Sequence, residues 1–592
     1  MATPINSRVQ KIQQYLVEHY LDAFLIPHED EYLSEYVAKH NERLCWATGF
    51  TGSAGAAIIT PTKNAIFVDG RYVVQVRQQA PSDLFEYRHL INEPPLSWIK
   101  TLPKGSRVGY DAKLHSLNWI RKAKQTLGNQ YNLVALDTNP IDTLWTDRPT
   151  PNLSPISINP LKYSGKSSQE KRQEIALMMQ EKNEDALILT ALDSICWLLN
   201  IRANDIPCLP VALCVAILKQ DGNLDLLIDS ARCSKDVIHH LGANVKIYPP
   251  AELENVLKAL KKQKVSIDPA TTNTWIVNIL KEGQAQLIEE NDPCSLPKAC
   301  KNKTEIQGMI KSHERDAVAM VKFLAWLDDA VLNNEDLDEA IISDKAETFR
   351  RENDLFTDLS FATISATGTN AAMCHYNHIN QEKPSKLQRD NVYLIDSGAQ
   401  YEDGTTDITR TIAIGTPCAE IIHNNTLVLK GHIALAQAIF PQGTTGQQLD
   451  ILARQFLWAE GLDFDHGTGH GVGCHLSVHE GPQRISPKGS DTSMQAGMIT
   501  SNEPGFYKED GYGIRIENLT LTVEKPSKYD RKMLGFETLT LVPFDKRLID
   551  KSMLTNNEIT WINHFHALIW QTLEPKVSGQ VKTWLRQATA KL

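Results

Sequence analysis

Five acidic or imidazole side chains between Tyr393 and Asn518 have the types and spacing that could hold metal ions. They are Asp396, Asp407, His470, Glu503 and Glu517. Each lies in apolar, strand-like sequence, where the burial of an unpaired charge is costly. A positively charged partner is therefore expected to meet them.

The pattern around the two aspartates predicts a hairpin. Residues 392–395 form a β-branched and aromatic run that ends at Asp396, and Asp407 opens an alternating run of apolar and polar residues. The turn signal at residues 402–404 lies between them. The hairpin would bring Asp396 and Asp407 near each other.

The two glutamates lie on or beside further strand-like runs. Glu503 ends the run 498–502 and is followed by Pro504 and Gly505. The alternation in residues 513–519 predicts a strand with Arg515 and Glu517 on one face. Both glutamates are thus expected at strand ends or edges.

His466 and His470 are four residues apart, as in a metalloprotease helix, but their surroundings argue against a helix. Glycines stand at positions 467, 469, 471 and 473, and each disfavours a helix by about 1 kcal/mol. We therefore predict a loop whose backbone comes close to whatever His470 holds.

Charge counting indicates the partner. Four ionised carboxylates close together would raise one another's pKa values, whereas two divalent cations bring the sum to neutrality. Oxygen-dominated ligation with a single histidine suits manganese, cobalt or iron better than a structural zinc site. Two such ions can share a hydroxide nucleophile and polarise a carbonyl group.

Composition bounds the rest of the protein. The chain has 592 residues, is 42% hydrophobic and 22% charged, and has a net charge of -10, which leaves room for about three or four domains. The negative charge argues against nucleic-acid binding.

Ten cysteines without paired spacing predict reduced thiols. Residues 1–8 lack a signal-peptide core and no apolar run reaches membrane length, so we expect a cytoplasmic protein without membrane association.

Two stretches in the first half of the chain repeat the same order of elements. A helix-like stretch at 8–19, a buried strand at 22–26 and a hairpin at 56–71 are matched by 171–182, 185–189 and 215–232. This order predicts two related α/β domains, at residues 1–155 and 156–300. Helical spacing of apolar residues after Leu296 predicts long helices in a third domain, residues 301–592, whose polar tail forms covering helices.

Together these motifs resemble a known family. The chain contains I-D-S-G-A-Q-Y-E-D-G-T-T-D-I-T-R-T, H-G-T-G-H-G-V-G, V-H-E-G-P, N-E-P-G and G-I-R-I-E-N in that order. It resembles the pita-bread metallopeptidases and, within them, the three-domain aminopeptidase P (Xaa-Pro aminopeptidase) family. The resemblance covers the whole chain and implies an α/β (α+β) fold, with two creatinase-like N-terminal domains before a pita-bread catalytic domain.

The resemblance also implies roles for individual residues. The family's metal ligands match Asp396, Asp407, His470, Glu503 and Glu517, with Asp407 and Glu517 bridging two ions. Its catalytic-pocket residues match His375, His466 and His479, while Glu503 would relay a proton, Arg515 would hold a site carboxylate and Tyr507 is a weaker candidate. Met373-Cys374 and Cys474-His475 depart from the family pattern without touching a ligand.

The function implied is removal of the N-terminal residue from peptides with proline second, by a homodimeric enzyme with two divalent ions, most readily Mn²⁺. Proline nitrogen carries no hydrogen, so a peptidase that reads the ring can select this bond. Two alternatives stay open: a prolidase-type Xaa-Pro dipeptidase, which usually has one N-terminal domain, and a metal-free binding or scaffold protein of the same fold.

Overall fold

The computed structural model describes residues 4–592, so the first three residues of the predicted signal-free N-terminus lie outside the described part. The chain forms two compact units. The first comprises residues up to Pro160 together with Lys166–Ser295, and the second comprises Leu161–Gly165 and Leu296–Leu592. The predicted domain limits near residues 155 and 300 stay a prediction.

The first half of the first unit is a six-stranded sheet with helices around it. Its elements are α1 (Ile5–Glu18), β1 (Ala23–Pro27), α2 (Arg43–Thr48), β2 (Ala56–Ile59), β3 (Asn64–Val68), α3 (Val73–Gln79), β4 (Glu86–His89), α4 (Pro95–Ile99), β5 (Arg107–Asp111), α5 (Leu117–Leu127), β6 (Asn132–Leu136) and α6 (Pro140–Leu144). The strand order is β4-β3-β2-β1-β5-β6. The central strands β1, β2 and β3 are buried along their whole length, as expected where helices cover both faces of a sheet.

A second sheet follows in the chain. The remaining elements of the first unit are β7 (Ser157–Ile158), α8 (Ser168–Glu181), β8 (Ala186–Leu189), α9 (Leu192–Leu199), β9 (Ile201–Arg202), β10 (Val215–Lys219), β11 (Leu224–Leu227), α10 (Lys235–Leu241), β12 (Val245–Tyr248), α11 (Leu253–Lys258), β13 (Lys264–Ile267), α12 (Thr274–Glu282) and β14 (Gln286–Glu289). The short helix α7 (Leu161–Ser164) lies between β7 and α8 in the sequence but belongs to the second unit. The sheet order is β12-β11-β10-β8-β13-β14, and β7 pairs with β9 outside it.

The two sheets have the same topology. In both sheets, the first strand pairs antiparallel with one strand of a hairpin and parallel with the fifth strand of the sheet. In the first sheet, β1 pairs with β2 and β5. In the second sheet, β8 pairs with β10 and β13. The prediction of two related α/β domains is confirmed. The repeat was readable because buried strands and hairpin turns leave local patterns in the sequence.

The second unit contains α7 and the elements that follow β14, apart from Ser295 at the start of the first of them. These are α13 (Ser295–Ala299), α14 (Lys303–Leu332), α15 (Glu339–Arg351), β15 (Phe356–Leu359), β16 (Ile364–Thr367), β17 (Asn391–Ser397), β18 (Ala399–Tyr401), β19 (Gly404–Thr405), β20 (Ile408–Ile414), α16 (Ala419–Ala436), β21 (Ile439–Pro441), α17 (Gly446–Trp458), β22 (Gly469–Gly471), β23 (Glu480–Ile485), β24 (Ile499–Asn502), β25 (Gly505–Lys508), β26 (Tyr512–Arg515), β27 (Asn518–Lys525), β28 (Met533–Thr538), α18 (Asn556–Leu573) and α19 (Gly579–Ala588).

The long helix predicted after Leu296 is α14. It begins with a capping box in which Asn302 accepts hydrogen bonds from the amides of Thr304 and Glu305, and the Glu305 carboxylate accepts one from the Asn302 amide. Its apolar residues enter a core shared with β17, β20, α16, β26 and α18. The predicted tail helices α18 and α19 pack against this same core.

Three sheets of the second unit position the candidate residues. Strands β16-β17-β20 form one, β15-β18-β19 a second, and β21-β28-β27-β24-β22-β23 a third, while β25 and β26 form a separate hairpin. The predicted hairpin over residues 392–414 is confirmed, because β17 and β20 are antiparallel neighbours. The residues that connect these two strands form β18 and β19, which belong to the β15-β18-β19 sheet. Within residues 4–592, no helix combines the length and apolarity needed to cross a bilayer.

Candidate metal centre

Strand pairing positions Asp396 and Asp407. Asp396 lies in β17 and pairs with Thr409 of β20, while Asp407 immediately precedes β20. Both aspartates are buried, at 8% and 4% exposure. The antiparallel register therefore places two carboxylates at the same end of the β17–β20 pair, as the sequence predicted.

A second strand pair positions the glutamates. Strands β24 and β27 are antiparallel and end on the pair Asn502 and Asn518. Glu503 follows Asn502 and Glu517 precedes Asn518, so the register brings the two glutamates to one end of the sheet. The predicted continuous strand over 513–519 is wrong in detail, because Ile516 and Glu517 lie between β26 and β27.

His470 lies on β22, a short strand between β23 and β24, rather than in the predicted loop. The loop prediction is correct for His466. Glycine is required beside His470, because a Cβ atom at Gly469 would lie 2.0 Å from the Ser501 carbonyl oxygen. The His470 amide donates to the Ser501 hydroxyl at 2.9 Å, which fixes the strand against β24.

These elements bring the candidate ligands together. One ligand atom each from Asp407, His470 and Glu517 lie within 4.8 Å of one another. His470 Nε2 is 3.5 Å from Asp407 Oδ2 and 3.3 Å from Glu503 Oε1. Asp396 is close enough to Asp407 and Glu503 for their charges to raise its pKa.

The electrostatics of the cluster are those of crowded buried acids. Burial, together with the charges of Asp407 and Glu503, raises the pKa of Asp396 to about 7 against the opposing effect of Arg515. Burial and neighbouring carboxylates also raise the pKa values of Glu503 and Glu517. Burial acts to lower the pKa of His470, but Asp407 and Glu503 raise it to about 9.

Arg515 ties several of these groups together. Its guanidinium donates to Asp396 Oδ2 at 2.6 Å, to the Tyr507 hydroxyl at 2.7 Å and to Thr409 Oγ1 at 3.1 Å. Thr409 Oγ1 in turn donates to Glu517 Oε2 at 2.6 Å. Arg515 and Glu517 therefore both contact Thr409 Oγ1, although no continuous strand joins them.

The candidate pocket histidines lie around this cluster. The His479 ring centroid is 4.3 Å from that of His470. His466 Nε2 is 2.9 Å from the Tyr507 hydroxyl. His375 is partly exposed and follows Cys374, which is near enough to Tyr507 and Arg515 to influence their pKa values.

The chemistry of the donor set fits divalent cations. Four carboxylates face one arginine, which pairs with Asp396 alone among them. Asp396 Oδ1 is buried and has no hydrogen-bond partner within residues 4–592, although a buried carboxylate oxygen without one is costly. Oxygen ligands with one imidazole suit hard or borderline ions, so these residues could hold two such cations.

Comparison with known proteins identifies the family. Residues 307–524 match the model of metallopeptidase family M24 and residues 532–592 its C-terminal region, while residues 8–144 and 147–305 each match a creatinase/prolidase N-terminal domain. Probable Xaa-Pro aminopeptidase P of Aspergillus fumigatus (strain CBS 144.89 / FGSC A1163 / CEA10) is 37% identical, covering 99% of this chain and 92% of that protein. The chain belongs to the aminopeptidase P group of metallopeptidase family M24.

Two further members of this group are similar over nearly their full lengths. Probable Xaa-Pro aminopeptidase P of Paracoccidioides brasiliensis (strain Pb03) is 38% identical, covering 99% of this chain and 98% of that protein. The crystal structure of X-prolyl aminopeptidase from Caenorhabditis elegans, described as a cytosolic enzyme with a di-nuclear active site, has a TM-score of 0.96 at 34% identity and covers 100% of both chains.

Some residues of this M24 site were not found by sequence reasoning. Thr409 joins Arg515 to Glu517, and Ser501 Oγ donates to Glu503 Oε1 at 3.0 Å. His432, which none of the sequence motifs contains, has a buried ring that contacts the Asn502 carbonyl oxygen and the Asn518 side-chain amide at 3.1 Å each. The spacing of two residues from Thr409 to Asp407 and from Ser501 to Glu503 was the signal available in the sequence.

The metal-free protein is expected to lose stability as pH rises. The raised pKa of Asp396 stabilises the fold fully below about pH 4, and this contribution is lost as pH rises through about 7. The contribution of His470 is present below about pH 6.5 and is lost as pH rises through about 9. Metal binding needs deprotonated ligands and strengthens over the same range. Thermal unfolding should therefore show a gap in Tm between metal-loaded and chelated protein that widens from pH 5 to pH 8.5.

The variant Asp396→Asn is the control for this experiment. It removes one titrating group, so the Tm of the chelated variant should fall less steeply between pH 4 and pH 7 than that of the chelated parent. A chelated parent whose Tm rises steadily from pH 5 to pH 8.5 would contradict the assigned direction.

Proposed function

We propose that the chain is an Xaa-Pro aminopeptidase that uses two divalent cations to release the N-terminal residue from peptides with proline second. The observation that carries this proposal is the convergence of three buried carboxylates, the half-buried Glu503 and His470, with one arginine among them. Such an excess of buried negative charge needs cations. The similarity to aminopeptidase P proteins over 99% of the chain supplies the substrate class.

Asp396, Asp407, His470, Glu503 and Glu517 would hold the two cations, and Asp407 and Glu517 would contribute to holding both. When bound, two such cations supply charge neutralisation, an activated water and polarisation of the scissile carbonyl. The tautomer of His470 is set by its Nδ1, which lies 2.9 Å from the Gly471 carbonyl oxygen. Nδ1 therefore carries the hydrogen, and Nε2 is free to coordinate.

Glu503 is the proposed proton carrier. Its carboxylate lies beside His470 and accepts a hydrogen bond from Ser501, and its backbone amide donates to the Thr468 carbonyl oxygen at 2.8 Å. Burial raises its pKa above the ordinary value of a glutamate, and a carboxylate with a raised pKa suits a group that takes and returns a proton. Arg515 holds Asp396 in orientation through the short bond to Oδ2.

The three histidines are proposed to contact the substrate. His479 and His375 stabilise the developing negative charge on the scissile carbonyl oxygen or hold the peptide, since an imidazole N–H can donate to that oxygen. His466 lines the pocket and is fixed through Tyr507, which also accepts a hydrogen bond from Arg515. Burial raises the pKa of Tyr507 well above its ordinary value, so its hydroxyl stays protonated.

Three finer properties are also proposed. Manganese is the metal we favour, because the donor set is mostly oxygen. Homodimer formation rests on the family resemblance, and light scattering of the full chain tests it. A cytoplasmic location accords with the related cytosolic enzyme of Caenorhabditis elegans and with ten cysteines that are all free thiols.

Peptides with alanine in place of the second proline should be poor substrates. A pocket shaped for the proline ring loses packing against alanine and meets an N–H for which it has no acceptor. We expect kcat/KM for Arg-Pro-Pro to exceed that for Arg-Ala-Pro by about 100-fold or more, measured by release of free arginine from the manganese-loaded enzyme. Equal rates on the two peptides would leave only a general aminopeptidase.

The dipeptide Ala-Pro and the chelated enzyme serve as controls in the same assay. Faster cleavage of Ala-Pro than of Arg-Pro-Pro would favour the dipeptidase alternative. Loss of all activity on chelation, with recovery on added manganese, is expected for a metal-dependent enzyme. Absence of cleavage together with failure to bind manganese would instead favour the metal-free binding or scaffold protein.

A further inference from the structure

A single buried carboxylate joins both ends of the segment that carries His375. Glu339 is the first residue of α15 and is fully buried. Its Oε1 accepts hydrogen bonds from the Thr367 amide and the Asn370 side-chain amide, both at 2.9 Å. Its Oε2 accepts from the Tyr376 hydroxyl at 2.6 Å and from the Ser385 amide at 3.1 Å.

The four donors enclose an excursion of the chain between two strands. Thr367 ends β16, and the chain reaches β17 only at Asn391. Residues 368–384 between them contain short 3-10 turns and no strand. Irregular segments of this length are held by their side-chain contacts, and here the contacts meet at Glu339.

The surroundings of Glu339 hold its carboxylate in one geometry. Glu339 lies in the first turn of α15, where the helix dipole favours negative charge. None of the four donors is a charged group, so the carboxylate is stabilised by directed hydrogen bonds rather than by a mobile ion pair. Burial and the Glu339 carboxylate raise the pKa of Tyr376, so its hydroxyl stays a donor.

The enclosed segment lies against the candidate metal centre. Gly513 of β26 packs so closely on the segment that a Cβ atom there would lie 1.7 Å from the Ala371 carbonyl oxygen. Strand β26 ends at Arg515, which holds Asp396. Cys374, directly before His375, is near Arg515 and Tyr507, so the contact continues to the residue beside the histidine.

We infer that Glu339 is a positioning residue for His375, acting through Tyr376 and the two ends of the 368–384 segment. The inference rests on the proposed function, in which His375 contacts the substrate. Glu339 donates nothing to the reaction itself. It sets the place of the histidine, and a displacement of about 1 Å in such a group can cost about 100-fold in rate.

The test is a double-mutant cycle with Glu339→Gln and His375→Ala in the manganese-loaded full chain. The glutamine keeps the shape, but its NH₂ group faces donors that need an acceptor. We expect Glu339→Gln to lower kcat for Arg-Pro-Pro by about 10- to 100-fold, with two metals retained. In the His375→Ala background the same change should cost less than about 2-fold, because groups acting through one another are not additive.

Hydrogen exchange of the backbone amides gives a readout that does not depend on activity. Peptides spanning residues 367–387 should exchange faster in Glu339→Gln, while peptides from β24 and β27 should not. If Glu339→Gln folds poorly, Tyr376→Phe can replace it, because it removes one of the four donors with little change of shape. It should give a smaller loss of kcat and a smaller increase in the exchange of the same amides. Glu347→Gln is the matched control, because Glu347 lies on the same helix but pairs only with Arg351 at the surface.

Three outcomes would overturn the inference. They are an equal loss of kcat in the parent and His375→Ala backgrounds, loss of metal in Glu339→Gln, and wild-type kcat in a variant whose 367–387 amides exchange faster. Absence of Xaa-Pro peptidase activity in the parent chain would contradict the proposed function instead, and hydrogen exchange would then still report on the anchor.

Discussion

Replacing Asp407 with asparagine is expected to remove metal and peptidase activity together. Asp407 lies within 4.8 Å of both His470 and Glu517 at their ligand atoms, and we propose that it touches both cations. An amide carries no charge and offers one acceptor oxygen instead of two. The loss in kcat/KM should exceed about 10³-fold, the upper end of what one lost hydrogen-bond donor costs. Metal analysis of the purified variant and the Arg-Pro-Pro assay measure the two effects.

The matched control is Asp403→Asn, four residues earlier in the same segment. Asp403 is also buried, at 4% exposure, but it pairs with Arg315 and not with the cluster. Its replacement should lower Tm while leaving two metals per chain. Two metals and near-normal turnover in Asp407→Asn would show that the ligand assignment is wrong.

The variant His479→Ala should behave differently, keeping its metals and losing rate. The ring of His479 contacts that of His470, but the family resemblance matches His479 to a pocket histidine and not to a metal ligand. Removal of an acid–base or oxyanion contact costs about 10²-fold or more in kcat. Metal content and kcat for Arg-Pro-Pro would be measured side by side on the purified variant.

His423→Ala provides the comparison for a histidine outside the site. His423 lies at the surface and contacts Glu460 at 2.8 Å, so its removal should leave kcat and metal content unchanged. Loss of one or both metals from His479→Ala would identify His479 as a ligand. The variant His479→Gln, which retains a hydrogen-bond donor, should recover part of the rate if donation to the substrate is the role.

Most of the fold could be predicted from the sequence because its signals are local. The repeated helix, strand and hairpin order predicted two related α/β domains, and the structure contains two sheets with the same strand order. Apolar spacing after Leu296 predicted α14, whose capping box is also visible in the sequence as Asn302 and Glu305. Burial on one helical face and strand alternation need no knowledge of distant residues.

The sequence by itself determined which residues are candidates for the site, and the tertiary structure decided which atoms meet. Asp396, Asp407, Glu503 and Glu517 were recognisable by type and by their places at strand ends. Their convergence depends on register between distant strands, such as Asn502 with Asn518, and a shift of one residue would turn the side chains to the other face. Thr409 and Glu339 acquire their roles only through partners far away in the chain, because local periodicity carries no information about long-range hydrogen bonds.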